Sequence, residues 1–111
     1  DSLGPEGQYH RRWMVHGTSH HLGLDVHDCA HARIEDYRGG NLKAGMCITV
    51  EPGIYFRSTD LLVPEEYRGI GVRIEDNVLV TPEGNDIITI ATPKTIAEIE
   101  ALMREAPHAK A

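Results

Sequence analysis

Two β-branched runs in this chain carry carboxylates among their apolar residues. Residues 46–56 read MCITVEPGIYF and residues 71–81 read GVRIEDNVLVT. In the first run Cys47, Thr49 and Glu51 alternate with Ile48 and Val50, which predicts a strand over Met46–Phe56 with Glu51 on its more polar face. Pro52 removes a ladder donor and Gly53 follows it, so a bulge or strand edge is expected just after Glu51. In the second run Val72, Ile74, Asp76, Val78 and Val80 share one face, and Arg73, Glu75, Asn77 and Leu79 share the other. Arg73 and Glu75 therefore project the same way. Two readings stand for these carboxylates. They face solvent, with Arg73 and Glu75 as an ordinary surface pair, or they face inward and are held by a partner or a cation.

The remaining elements follow from local signals. Residues 1–8 (DSLGPEGQ) and 36–45 (DYRGGNLKAG) read as loops, the second turning at Gly39-Gly40-Asn41. Residues 57–69 form a long loop containing Pro64. Pro82-Glu83-Gly84-Asn85 is a turn, and Asp86–Ala91 (DIITIA) is a short strand that closes a hairpin over Gly71–Ala91. A C-terminal helix is predicted with Thr92 as N-cap, Pro93 at its first position, and Ile96, Ile99, Leu102 and Met103 at helical spacing. The tail after Pro107 should fray. Strands and helices mix without a repeating βαβ pattern, which predicts an α+β fold of a single domain.

The net charge of -6 argues against nucleic acid or an anionic membrane as the main partner. No apolar run is long enough for a membrane span. No secretory leader is visible, and two cysteines, Cys29 and Cys47, without C-x-x-C spacing suggest free thiols in a reducing, cytoplasmic setting. The chain opens at Asp1 rather than Met, as a fragment or processed chain would.

Seven histidines occur in 111 residues, six of them between His10 and His31. Neutral imidazole is a common metal ligand. His16 and His20 are spaced like the two histidines of H-E-x-x-H, but Gly17 stands where the glutamate would be, so that motif is excluded. His21 and His31 read as surface or structural residues. One imidazole with several carboxylates favours Mn²⁺, Fe²⁺, Co²⁺ or Zn²⁺ over a thiolate-rich structural site.

The segments HGTSHHLGLDVHD, ITVEPGIY and EYRGIGVRIEDNVLVT, in this order, resemble the C-terminal catalytic signatures of Xaa-Pro aminopeptidases. These enzymes belong to the methionine aminopeptidase and creatinase superfamily, with its pita-bread fold. The resemblance runs from about His10 to Met103. It implies the C-terminal half of a pita-bread catalytic domain, with antiparallel strands and a C-terminal helix. It further implies a hydrolase that releases the N-terminal residue from peptides with proline second, using two divalent ions, most often manganese. By position, His20, Glu51 and Glu75 match metal ligands, and Glu51 also matches the proposed general base. His16 and His27 match histidines that bind substrate and stabilise the reacting carbonyl. Tyr55 and Arg73 match an outer pair that relays protons and orients ligands.

The family's remaining two metal ligands are Asp residues from the preceding half of the domain, and residues 1–9 offer only Asp1. The resemblance therefore implies a chain that holds at most one ion weakly and is inactive alone. Its partners would be a proline-containing peptide, the N-terminal half of the domain and, for the parent enzyme, further copies of itself. An Xaa-Pro dipeptidase, a creatinase-like hydrolase and a non-catalytic pita-bread binding module are the alternatives. Retention of His20, Glu51 and Glu75 weighs against the last.

Overall fold

Antiparallel pairing organises the centre of the chain in the computed structural model, which describes residues 4–29, 37 and 39–105. The strands are β1 (Cys47–Val50), β2 (Gly53–Tyr55), β3 (Gly71–Arg73), β4 (Asp76–Thr81) and β5 (Gly84–Ile87). One sheet has the order β1-β4-β5 and the other pairs β2 with β3. The two sheets share a single register. Val50 pairs with Asp76 and Gly53 pairs with Arg73. The residues in between therefore stand Glu51 opposite Glu75 and Pro52 opposite Ile74.

Each run expected as one strand is thus two, broken at the same level. Pro52 has no N–H to offer Ile74, and only the Ile74 N–H to Pro52 carbonyl bond, at 3.3 Å, spans the gap. The break after Glu51 was legible from Pro52. The break at Ile74–Glu75 was not, because its cause lies on the partner strand. On the other edge, residues 13–22 run alongside β1 and β2. The N–H groups of Thr49, Glu51 and Tyr55 donate to the carbonyls of His20, Thr18 and Trp13 at 2.9, 2.7 and 2.9 Å. A single bridge pairs His21 with Ile48.

The faces are inverted from simple amphipathic expectation. Thr49 and Glu51 are the buried positions, at 1 % and 9 % exposed, whereas Val50, Ile54, Val72 and Ile74 are all more than 40 % exposed. Val63 is the one buried hydrophobic residue among the described residues. The His-rich segment covers the polar face, and the apolar face is open.

The hairpin closes through Pro82-Glu83, with Gly84 at φ 154° opening the second strand. Only Gly84 can adopt that backbone readily. The second strand is Gly84–Ile87 rather than Asp86–Ala91. Residues 88–92 turn away because side chains capture them. The Thr89 hydroxyl donates to Asp76 Oδ1 at 2.6 Å and accepts the Asn77 N–H at 3.0 Å. Lys94 Nζ joins Asp76 Oδ1 at 3.0 Å. These contacts hold the Asp76 carboxyl below its ordinary pKa, chiefly through the Thr89 hydrogen bond and then Lys94.

The helix, α1, spans Ile96–Arg104 and is capped by Thr95, not Thr92. Thr95 and Glu98 form a reciprocal capping box, which satisfies two orphan donors where Thr92 would satisfy one. Tyr37 and Gly39 are helical rather than part of a loop. Residues 1–3 of the expected leading loop, His31 and the tail after Pro107 lie outside the described residues.

The long loop is anchored by an ion pair across the chain. Both Asp60 oxygens accept from Arg12, at 2.8 Å from Nε and 2.7 Å from Nη2, while Trp13 Nε1 and the Leu62 N–H fill the remaining positions at 3.1 and 3.0 Å. A carboxylate has about four acceptor positions, so Asp60 is saturated. The hydrogen bonds from Arg12 hold its carboxyl far below the usual carboxylate range. A depressed folded pKa gives stability that is complete above the unfolded value, near pH 4, and is lost as the pH falls through the folded value. Asp60→Asn should therefore melt below wild type at neutral pH. The gap should narrow as the pH drops from about 5 towards 2. Thermal melts across that range check this, and a gap independent of pH would contradict it.

Candidate active site

The strand break puts Glu51 where β1 ends, and the flanking segment brings His20 to it. His20 Nε2 lies 3.0 Å from Glu51 Oε1. The other ring nitrogen, Nδ1, lies 2.9 Å from the His21 carbonyl. A carbonyl only accepts, so Nδ1 carries a proton. Nε2 then faces a carboxylate oxygen, and a lone pair there would meet another lone pair. The contact is favourable when a proton or a metal ion lies between the two atoms. An imidazole held by a backbone carbonyl at one nitrogen, with its other nitrogen aimed at a carboxylate, has the donor chemistry of a metal ligand.

Glu51 is held from two more directions. The Thr49 hydroxyl donates to Oε1 at 3.1 Å, and Arg73 Nη1 approaches Oε2 at 3.7 Å. Arg73 thus pairs across the strands with Glu51 rather than with Glu75, its neighbour on the same face. Glu75 is exposed. It stands opposite Glu51 in register without joining it and His20 in one cluster. Among the described residues, no group of three His, Cys, Asp or Glu side chains is gathered for a metal.

His27 lies edge-on to the His20 ring, with centroids 4.5 Å apart. His16 and Tyr55 form a second unit. His16 Nδ1 contacts the Gly17 carbonyl at 2.6 Å, so it too carries the proton. Its Nε2 accepts the Tyr55 hydroxyl at 2.7 Å. A phenol donating to a neutral imidazole is a path along which a proton can move.

Sequence reasoning assigned Thr49 no role. It also read Gly53 only as strand punctuation. The structure shows why two glycines flank the tyrosine. A Cβ on Gly53 would lie 2.5 Å from the Tyr55 hydroxyl oxygen, and one on Gly71 would lie 2.8 Å from Cδ1 of the same ring. Tyr55 pairs with Gly71 in the ladder, so its ring lies over backbone that has no side chain. The spacing E-P-G-x-Y followed by G-V-R carried that signal.

The chain belongs to the metallopeptidase family M24, whose family model matches residues 4–82. It is 59% identical over 93 residues to Xaa-Pro aminopeptidase 1 of Streptomyces coelicolor, covering 84% of this chain and 19% of that protein. Escherichia coli aminopeptidase P, solved with the inhibitor Pro-Leu, superposes with a TM-score of 0.79 at 48% identity, covering 86% of this chain and 21% of the enzyme. A zinc-substituted form of that enzyme in complex with product gives a TM-score of 0.78 at 48% identity. The chain thus has the fold of part of the pita-bread domain, in the α+β arrangement expected, and spans about a fifth of the length of these relatives.

Gly53→Ala should displace the Tyr55 ring and break its hydrogen bond to His16, at a cost of about 1–3 kcal/mol for overpacking. The ¹⁵N resonance of His16 Nε2 should shift while the circular dichroism spectrum stays folded. An unmoved resonance would show that the ring does not depend on Gly53.

Proposed function

We propose that this chain is the C-terminal part of the catalytic domain of an Xaa-Pro aminopeptidase, a metal-dependent hydrolase that removes the residue preceding proline at a peptide's N-terminus. The observation that carries the reading is the His20–Glu51 contact, with the His20 tautomer set by the His21 carbonyl, beside the His16–Tyr55 pair. M24 membership supports divalent metal. His20, Glu51 and Glu75 would hold the ions, and the chemistry of an imidazole with two carboxylates fits them. Manganese suits this donor set, with zinc, cobalt or iron able to replace it. When bound, such ions activate a water and polarise the scissile carbonyl.

This chain's own residues would manage the rest. Glu51 would take the proton of the attacking water. Arg73 approaches the second oxygen of Glu51 at 3.7 Å and would lend it positive charge. His27, edge-on to His20, borders the same space and would contact the substrate. The Tyr55 hydroxyl, paired with His16, would pass a proton to or from the reacting group. The missing Asp ligands would come from the preceding half of the domain. That half would also cover the exposed Val50, Ile54, Val72 and Ile74. The complete enzyme would be a cytoplasmic homo-oligomer, and the 111-residue chain by itself inactive.

The test is hydrolysis of an Xaa-Pro tripeptide by the full-length protein in the presence of Mn²⁺. Cleavage of a tripeptide in preference to a dipeptide is expected, with Glu51→Gln lowering kcat about 10²–10⁴-fold. An inert full-length protein, or full activity in Glu51→Gln, would overturn the reading. Robust turnover by residues 1–111 alone would show that no further ligands are needed.

A further inference from the structure

Thr49 is the most buried large side chain among the described residues, at 1 % exposed. A threonine in a strand ordinarily needs no explanation beyond its β-branch. Here the hydroxyl both accepts and donates. It accepts the His20 backbone N–H at 3.1 Å and donates to Glu51 Oε1 at 3.1 Å. The direction of both bonds is fixed, because an amide N–H only donates and a carboxylate only accepts. The Thr49 backbone N–H in turn donates to the His20 carbonyl at 2.9 Å. One residue therefore holds both main-chain polar groups of His20. The same residue grips the oxygen of Glu51 that lies 3.0 Å from His20 Nε2.

The His20 ring is set by its own Nδ1 bond to the His21 carbonyl, and Arg73 approaches the other Glu51 oxygen at 3.7 Å. Neither of those contacts relates His20 to Glu51. The Thr49 hydroxyl does, since it touches both. We propose that Thr49 is a positioning residue that sets the spacing of His20 Nε2 and Glu51 Oε1, and with it the affinity of the site for a divalent ion. This rests on the reading above that His20 and Glu51 hold such an ion. Valine in its place keeps the branch and the volume but removes the hydroxyl. The His20 N–H then loses its partner in a buried place, and Glu51 is free to rotate.

The experiment compares wild type, Thr49→Ser, Thr49→Val and Glu51→Ala in the full-length protein. Mn²⁺ affinity is read by titration calorimetry, the His20 ring by long-range ¹H–¹⁵N correlation in the metal-free protein, and kcat and KM with an Xaa-Pro tripeptide. Thr49→Val should weaken Mn²⁺ binding about 10–100-fold, the usual effect of losing an outer partner of a metal ligand. It should also perturb the His20 ring resonances and lower kcat with KM little changed. Thr49→Ser, which keeps the hydroxyl, should stay close to wild type in all three. Wild-type affinity and His20 resonances in Thr49→Val would overturn the role of Thr49 and leave the peptidase reading intact. A Thr49→Ser variant that binds Mn²⁺ about 10-fold or more below wild type would overturn it as well, because the methyl rather than the hydroxyl would then matter, and this reading needs no folded Thr49→Val. Unchanged Mn²⁺ affinity in Glu51→Ala would remove the metal reading itself, and the inference with it.

Discussion

Glu51 and Glu75 stand opposite one another in a single antiparallel register that runs through β1–β4 and β2–β3. Directly opposed residues have Cβ atoms about 4.5–5.5 Å apart, and like charges placed so destabilise a sheet. Glu51 is buried, at 9 % exposed, whereas Glu75 is exposed, so Glu51 is the carboxylate that needs partners from the protein. Pro52, with no N–H to donate, opens the ladder at this level, and the side chains around Glu51 supply its partners. The ladder opens at Glu51-Pro52 and Ile74–Glu75, Arg73 turns across to Glu51, and Thr49 and His20 close on its other oxygen. Positive charge is drawn to one point from the Arg73 side, and a ring nitrogen is aimed there from the His20 side.

The same geometry explains the two-part character of the site. Glu51, His20, Thr49, Arg73 and His27 form one group around a carboxylate. His16 and Tyr55 form another around a phenol and a neutral imidazole. Both depend on the segment 13–22 lying along the outer edge of β1 and β2, because its carbonyls take the N–H groups of Thr49, Glu51 and Tyr55. That segment is tied down at its start by the Arg12–Asp60 pair, which also holds the loop after β2. A carboxylate and a histidine that must meet within hydrogen-bond distance need their strands in fixed register. Here backbone pairing sets the register, and two glycines leave room for the Tyr55 ring.

Much of this was readable in advance, for reasons that differ by residue. Alternation with period two identified both strand runs, and Pro52 announced the break after Glu51. The helix was located from its apolar spacing but started three residues late, because the Thr95–Glu98 capping box outcompetes Thr92 with Pro93. The break at Ile74–Glu75, the inversion of buried and exposed faces, and the Arg12–Asp60 pair were not readable, since each is set by residues distant in sequence. Thr49 was invisible for another reason. Its pattern in the strand is that of any alternating threonine, and only the positions of His20 and Glu51 show what its hydroxyl does. Glu75 was expected beside His20 and Glu51. The structure places it opposite in register, outside their cluster.

The central claim is that His20 and Glu51 are arranged for a shared cation. Anomalous diffraction from crystals of the full-length protein grown with Mn²⁺ tests it most directly. The account predicts a manganese peak in contact with both His20 Nε2 and Glu51, with the His20 Nδ1 bond to the His21 carbonyl kept. A peak elsewhere, or none while Nε2 and Oε1 remain 3.0 Å apart, would mean that a proton alone joins the pair and would contradict it.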